Sequence, residues 1–120
     1  MKYIAIAIVI TWVILFANAV LSASAALEME VTAYCPCEKC CGTGSPGITA
    51  SGHKIQPGDK FIAADKSIPF GTKINVPGYG IAPVLDRGGA IKGNKLDVFF
   101  PTHQEALEWG RKHLIVEIVK

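Results

Sequence analysis

The sequence lacks several features that would point to a particular class of protein. Only 18% of its 120 residues are charged, and 12 basic against 10 acidic residues give a net charge of +2. This small excess argues against a dedicated nucleic-acid-binding protein, which usually carries a strong basic patch. The chain also has no charge run, no low-complexity tail and no internal repeat. Its length fits one domain rather than two.

Charge is absent altogether from one long segment, residues 3–27. Its apolar centre, 4–17, gives way to small residues with Ala-x-Ala patterns at 17–19 and 23–25, which is typical of a secretory signal peptide. The alternative is an uncleaved anchor, because 25 uncharged residues can span a bilayer. The Ser, Asn and Ala residues of its last third favour cleavage. We therefore predict a signal peptide over residues 1–25 and a secreted or cell-wall protein, with membrane contact only through this segment if it stays uncleaved.

All four cysteines fall within seven residues, CPCEKCC. In an exported protein this favours two disulfides, with three pairings open. A zinc site is the competing hypothesis, but structural zinc usually takes ligand pairs separated by a long spacer, so that ligands converge from two sides. A third hypothesis is that the four cysteines are free thiols. We predict disulfides, no metal and no cofactor, and expect the histidines, which show no local pairing with the cysteines, to be surface or loop residues. The cysteines are Cys35, Cys37, Cys40 and Cys41, and the histidines are His53, His103 and His113.

The remaining chain, residues 27–120, is predicted to form one mostly β domain. LEMEVTAY alternates apolar and polar residues, and further short strands are predicted at FIAAD, KINV, GIAPVLD, KLDVFF and HLIVEIVK. THQEALEWGRK is the one predicted helix, with Thr102 as its cap in a Thr-x-x-Glu capping box and with Ala106 and Trp109 facing the core. Gly110 weakens its last turn. Many short strands, abundant turns and one helix predict a small barrel.

Three aspartates lie at or within predicted strands: Asp65 in IAAD, Asp86 in PVLD and Asp97 in KLDVFF. Leu96 and Val98 should point to one side of their strand and Asp97 to the other. If the barrel brings the acids together, their repulsion raises the pKa of at least one. A protonated carboxyl is the general acid that glycosidic bond cleavage requires. The alternative is that all three are ordinary solvated residues.

Gly88 and Gly89 follow the second aspartate and carry no side chain. They would let a bulky polymer approach the backbone and would leave amide N–H groups available to it. The alternative is that this pair simply makes a turn.

Several separate motifs occur in an order that resembles a known family. VTAYCPCEKCCG, GITASG, IAAD…IPFGTKINVPGYG and DRGGAIKGNKLDVFFPTHQEALEWGRK together resemble the 3D domain, named for three aspartates. The chain is similar in this to stationary-phase-survival murein hydrolases and to the catalytic domain of membrane-bound lytic transglycosylase A. The resemblance covers nearly all of residues 31–119. It implies a small double-psi β-barrel that binds the glycan strands of peptidoglycan.

The resemblance also implies roles for the aspartates. Asp97 would be the acid and base of a lytic transglycosylase that cleaves the MurNAc–GlcNAc bond to a 1,6-anhydro sugar, and Asp86 and Asp65 would support it. The alternative is a module that binds peptidoglycan without cutting it, and related domains that exchange segments also allow a homodimer. Arg87 and Lys92 are either contacts for stem-peptide carboxylates or solvated. The predicted substrate-contacting residues are Thr49, Ser51, Tyr34, Gly88, Gly89 and Lys92.

Overall fold

The computed structural model describes residues 25–36 and 47–119, which form a closed six-stranded barrel with one helix. This confirms the predicted fold, a mostly β, small double-psi barrel with one short α-helix. The elements in chain order are β1 (Ala25–Tyr34), β2 (Ile62–Ala64), β3 (Lys73–Val76), β4 (Gly80–Asp86), β5 (Lys95–Phe99), α1 (His103–Trp109) and β6 (Lys112–Val119).

Two predictions fall on residues outside the described ones. They are the signal peptide, of which residues 1–24 are not described, and the state of Cys37, Cys40 and Cys41. Within 25–36 and 47–119, no helix combines the length and the apolar character needed to cross a bilayer.

Around the barrel the strands follow the order β1-β5-β2-β4-β3-β6 before closing on β1. The pairs β1–β5 and β2–β4 are parallel, and the other four neighbouring pairs are antiparallel. The parallel pairs join strands that do not follow one another in sequence, and the antiparallel pair β1–β6 brings the first and last strands together. Closure leaves no unpaired edge in this sheet.

The barrel interior is filled by alternate residues of each strand, as the sequence pattern predicted. Leu96 and Val98 of β5 are fully buried in the core, and Val31 of β1 and Val116 of β6 join them. Asp97, between Leu96 and Val98, points to the outer face instead. Strand β5 therefore contributes side chains to the core from one face and presents the Asp97 carboxyl on the other.

Helix α1 lies against β1 and is shorter than predicted. Thr102 caps it as expected, because its hydroxyl accepts a hydrogen bond from the Glu105 N–H at 3.2 Å. Trp109 is buried and donates its indole N–H to the carbonyl of Val31 at 3.1 Å. The helix ends at this residue because Gly110 adopts a φ of 70°, which a helix cannot continue.

Candidate active site

One row of paired residues crosses four neighbouring strands of the barrel. Thr32 of β1 pairs with Asp97 of β5, Asp97 pairs with Ala63 of β2, and Ala63 pairs with Asp86 of β4. Residues paired across strands project from the same face, so both carboxyls stand on one surface. Between them Ala63 contributes only a methyl group, which leaves the space above it open. The cavity there has a volume of about 330 Å³ and is lined by Tyr34, Ala63, Asp86, Arg87, Gly88, Gly89 and Asp97.

Asp97 is the acid of this cavity whose pKa is raised. Its carboxyl is partly buried on the strand, and burial raises its pKa to about 6. The Thr32 hydroxyl donates a hydrogen bond to Oδ1 at 3.1 Å, which lowers the pKa, and the negative charge of Asp86 raises it again. The pKa of Asp97 is raised, as predicted for one carboxyl of the cluster, but burial is the main cause and the charge of Asp86 a smaller one.

Asp86 is held by three hydrogen-bond donors. The Tyr34 hydroxyl donates to Oδ2 at 2.8 Å, the Ala50 backbone N–H donates to Oδ1 at 2.8 Å, and the N–H of Arg87 donates to Oδ1 at 2.9 Å. These bonds fix the position of the carboxylate and occupy both of its oxygens. Asp86 therefore presents a fixed negative charge to the cavity that it shares with Asp97.

The TASG loop reaches the site through its backbone rather than through its side chains. Thr49 is buried, and its hydroxyl lies 2.9 Å from that of Ser51 and accepts the His53 N–H at 3.2 Å. These contacts shape a turn that aims the Ala50 N–H at Asp86. Neither Thr49 nor Ser51 lines the cavity that holds the two acids. Tyr34, which was also predicted to contact the substrate, does line this cavity.

The two glycines of the loop both line the cavity, for different reasons. A Cβ on Gly88 would stand 2.8 Å from Cγ1 of Ile91, which is closer than real Cβ contacts come. The Ile91 N–H also donates to the Gly88 carbonyl at 3.1 Å, so this side chain folds back over the glycine. A Cβ on Gly89 would meet nothing within 4 Å. Gly88 is therefore needed for the turn, and Gly89 leaves the cavity rim open.

Asp65 does not join the other two acids. It follows the end of β2, and its carbonyl accepts the Ile68 N–H at 2.9 Å in a turn that carries its side chain away from the row. Hydrogen bonds from the Ser67 hydroxyl and from the Ser67 N–H, the latter 2.8 Å long, lower its pKa to about 2. A neighbouring cavity of about 410 Å³ is lined by Asp65, Lys66, Arg87, Gly88, Ile91 and Lys92.

Arg87, between the two cavities, is engaged by the protein itself. Its guanidinium donates to the Ile68 carbonyl at 2.8 Å and, over longer distances, to the carbonyls of Asp86 and Ala64. It also lies 4.0 Å from the centre of the Phe70 ring. This side chain ties the loop after β4 to the turn after β2. Lys92 is exposed and lines the second cavity, not the one that holds Asp86 and Asp97.

Comparison with known sequences shows the family to which the chain belongs. The sequence profile of the 3D domain matches residues 60–120, half of the chain, and Asp65, Asp86 and Asp97 all lie within the match. The chain belongs to the 3D domain family. Tyr34, the TASG loop and the cysteines precede the matched segment.

Two curated relatives from Bacillus subtilis are similar to this 3D domain. YocH, named a cell wall-binding protein, is 43% identical over 100 residues, which cover 81% of this chain and 33% of YocH. YabE, named for cell wall shaping, is 42% identical over 95 residues, which cover 78% of this chain and 23% of YabE. The chain thus spans a third or less of the length of these relatives.

A solved structure is similar to the 3D domain as well. It is MltA from Escherichia coli, described as a unique lytic transglycosylase fold, with 28% sequence identity and a TM-score of 0.50. The similarity covers 65% of this chain and 28% of MltA.

Sequence reasoning missed three groups of this 3D domain site: the Thr32 hydroxyl, the methyl of Ala63 and the backbone N–H of Ala50. Thr32 and Ala63 matter because strand pairing sets them beside Asp97. Alternation along LEMEVTAY could have placed Thr32 on the outer face, but only the register shows which residue lies next to it. A backbone N–H carries no residue-type signal at all.

In the described part of the 3D domain, no group of three or more His, Cys, Asp and Glu side chains is arranged to hold a metal ion. Of the histidines, His53 lies 2.8 Å from the Asp59 carboxylate. His103 lies 3.6 Å from the sulfur of Cys35, a contact that the sequence did not predict.

Proposed function

We propose that this 3D domain is a lytic transglycosylase that acts on the glycan strands of peptidoglycan in the cell wall. The names of YabE and YocH, both cell wall proteins, and of MltA support the substrate and the reaction type. One observation carries the proposal: the Asp97 carboxyl stands on the wall of an open cavity, beside Asp86, with a pKa of about 6. Such a carboxyl keeps its proton at mildly acidic pH, as a general acid must.

In the proposed reaction Asp97 acts twice. It first donates its proton to the oxygen that links N-acetylmuramic acid to N-acetylglucosamine, and this bond breaks. Positive charge develops at C1 of the muramic acid. The Asp97 carboxylate then takes the proton of the C6 hydroxyl of the same sugar, and the C6 oxygen bonds to C1. The product is a 1,6-anhydro sugar, and Asp97 is protonated again.

Asp86 would serve this reaction as a fixed charge. Its carboxylate is oriented by Tyr34, Ala50 and its neighbour Arg87, so it needs no rearrangement when charge develops on the sugar. It keeps the Asp97 proton in place before the first step and stabilises the positive C1 during that step. Asp65, which faces the neighbouring cavity, has no part in this mechanism.

The full chain, purified in mild detergent, is incubated with purified peptidoglycan, alongside an Asp97→Asn variant. Asn keeps the acceptor for the Thr32 hydroxyl but cannot transfer the proton. We expect soluble fragments about one water lighter than hydrolysis products by mass spectrometry, and a rate at least about 10²-fold lower for the variant. Fragments at the hydrolytic mass would reject the transglycosylase mechanism, and equal activity of the variant would reject Asp97 as the acid.

A second candidate function is supported by the name of YocH, a cell wall-binding protein 43% identical to this chain. In that case the cavity holds glycan without cleaving it. The same incubation separates the two, because a binding module would sediment with intact peptidoglycan and release no anhydro fragments.

A further inference from the structure

A second cavity lies directly beside the one that holds Asp86 and Asp97. Its volume is about 410 Å³, against about 330 Å³ for the first, and both volumes are typical of ligand sites. Arg87 and Gly88 line both cavities, so the two share one wall. A group attached to a sugar in the first cavity therefore needs to pass only this wall to enter the second.

The second cavity carries a net positive charge. Three cations, Lys66, Arg87 and Lys92, line it with a single carboxylate, so its formal charge is +2. The Arg87 guanidinium donates only to backbone carbonyls, and no acid neutralises it. Among the described residues, the ammonium groups of Lys66 and Lys92 form no ion pair. The cavity therefore favours an anionic ligand.

The one carboxylate of this cavity, that of Asp65, is satisfied by other groups. It accepts hydrogen bonds from Ser67 and from the backbone of Gly93, which lower its pKa to about 2. The charge of Lys66 makes the smallest contribution to this lowered pKa. Asp65 therefore needs no lysine as a partner. The ammonium groups of Lys66 and Lys92, both exposed residues, are available to a ligand.

The proposed substrate divides its charges in the same way as the two cavities. Its sugars are neutral, and positive charge develops on one of them as the bond breaks. The peptide stem, joined through a lactyl ether to the same N-acetylmuramic acid, carries free carboxylates. The acids of the first cavity suit the sugar, and the lysines of the second suit the stem. Ile91, partly buried in the second cavity, adds an apolar contact for the methyl groups of the alanines in the stem.

We propose that the second cavity binds the peptide stem of the N-acetylmuramic acid whose bond Asp97 breaks, with Lys66 and Lys92 contacting stem carboxylates. This inference rests on the proposed function, because it takes the sugar in the first cavity as given. It goes further by making the stem peptide, and not the glycan alone, a determinant of the substrate. For Lys92 it selects contact with the stem over solvation, the two hypotheses that the sequence left open.

A phosphate-bearing polymer of the cell wall would offer the same charge to these lysines. The stem peptide is favoured because it is bonded to the sugar in the adjoining cavity. Its effective concentration at the lysines is therefore high once the sugar is bound, whereas a separate polymer has to bind by itself.

The first test measures binding without cleavage. The full chain, isotope-labelled for NMR and purified in mild detergent, is titrated with N-acetyl-L-alanyl-γ-D-glutamyl-L-lysyl-D-alanine, whose free carboxylates stand in for those of the wall. We expect the amide signals of Ile91 and Lys92 to shift, and binding to weaken with added salt. Replacing both lysines, Lys66→Gln with Lys92→Gln, should weaken binding about 5- to 30-fold, the effect of losing two exposed ion pairs.

A second pair of lysines provides the matched control. Lys54 and Lys73 are exposed and line neither cavity. Lys54→Gln with Lys73→Gln removes the same total charge, so it should bind the tetrapeptide like the parent chain.

The second test compares two substrates. One is a preparation of soluble glycan strands with their stems, and the other is the same preparation after an amidase has removed the stems. For the parent chain, kcat/KM for the release of anhydro fragments should be at least about fivefold higher with stems. This ratio should fall towards one when Lys66 and Lys92 are both replaced, and the matched control should keep the parent's ratio.

Three outcomes would overturn the inference. The lysines are excluded if the tetrapeptide leaves Ile91 and Lys92 unshifted or binds both paired variants equally. Glycerol phosphate shifting these signals where the tetrapeptide does not would assign the cavity to a phosphate group. Equal cleavage of both kinds of strand by the parent chain would mean that the stem is not recognised.

Failure of this inference can be told from failure of the proposed function. The titration involves no cleavage, so it can show no binding for a chain that still releases anhydro fragments. It can equally show stem binding for a chain that holds peptidoglycan without cutting it.

Discussion

Asp97 and Asp65 carry the same carboxyl group in the same family motif, and the barrel gives them opposite properties. Asp97 stands within β5 on the wall of a cavity, and burial raises its pKa to about 6. Asp65 stands in an exposed turn after β2, and hydrogen bonds from Ser67 lower its pKa to about 2. The two pKa values differ by about four, although Asp65 directly follows β2, the strand that pairs with the β5 strand of Asp97.

Whether an aspartate of this motif has a raised or a lowered pKa therefore depends on its surroundings rather than on its position in the motif. The Asp97 carboxyl is partly buried and faces the charge of Asp86 in the same row, and both raise its pKa, while the hydrogen bond from Thr32 offsets part of the effect. Asp65 is solvated and receives hydrogen bonds from Ser67 of its own turn and from the backbone of Gly93. Burial favours the neutral acid, and local donors favour the carboxylate.

The largest effect on activity is expected from removing the negative charge of Asp86, which contributes to the raised pKa of Asp97. Asp86→Asn removes the negative charge facing Asp97, so the pKa of Asp97 should fall and the acid should lose its proton at lower pH. At pH 7 we expect activity on peptidoglycan to fall about 10²-fold, and the decline of activity with rising pH to begin at a lower pH. The measurement is the rate of fragment release between pH 4 and pH 8.

Glu117→Gln provides the control for Asp86→Asn, because it removes one acid from the exposed side of β6. Its pH profile should match that of the parent chain. A profile for Asp86→Asn that keeps the parent's decline near pH 6 would show that Asp86 does not act through the proton of Asp97.

The second prediction concerns stability: replacement by asparagine should stabilise the folded state at Asp97 and destabilise it at Asp65 at neutral pH. Because the folded pKa of Asp97 is raised above that of the unfolded chain, the folded state binds the proton more tightly, and stability falls as pH rises from about 4 to 6. Asp97→Asn has no proton to lose and should be about 2 kcal/mol more stable than the parent above pH 7, with little difference at pH 4. Urea unfolding at the two pH values measures this.

Asp65→Asn should show the reverse sign. The folded pKa of Asp65 is lowered, so its stabilising contribution is present above pH 4 and is lost as pH falls towards 2. The variant should therefore be slightly less stable than the parent at pH 7, and the two should converge in acid. A stabilised Asp65→Asn, or a destabilised Asp97→Asn at pH 7, would contradict the contrast between the two sites.

Much of the fold was predictable because its signals are local. Alternation placed Leu96 and Val98 inside and Asp97 outside, and the capping box placed the start of the helix, whereas the helix ends three residues before the end of the predicted stretch THQEALEWGRK. The site was predictable only in part, because it depends on which strands become neighbours. Asp86 and Asp97 meet through Ala63, on a strand of three residues, and nothing in the letters of IAAD shows that Asp65 turns away one residue after that strand.

A third prediction concerns the loop that separates the two cavities. Gly88 lines both of them, and neither it nor Gly89 has a positive φ, so alanine fits the backbone at both positions. Only at Gly88 would the new methyl group collide with Ile91. We expect Gly88→Ala to cost about 1–3 kcal/mol of stability and Gly89→Ala to stay within about 0.5 kcal/mol, as measured by urea unfolding. Equal costs would mean that Ile91 yields to the methyl group.

The smallest effect is expected from Asp65→Asn on activity, and it tests the comparison most directly. The side chain lines the cavity that lacks Asp86 and Asp97, and the Asp86 charge, not that of Asp65, raises the pKa of Asp97. We therefore expect the rate of anhydro-fragment release to stay within about threefold of the parent's, with an unchanged pH profile, since a charge screened by water contributes little. A loss of about 10²-fold with an unchanged profile would mean that Asp65 contacts the glycan strand itself, and the two cavities would then form one continuous substrate groove.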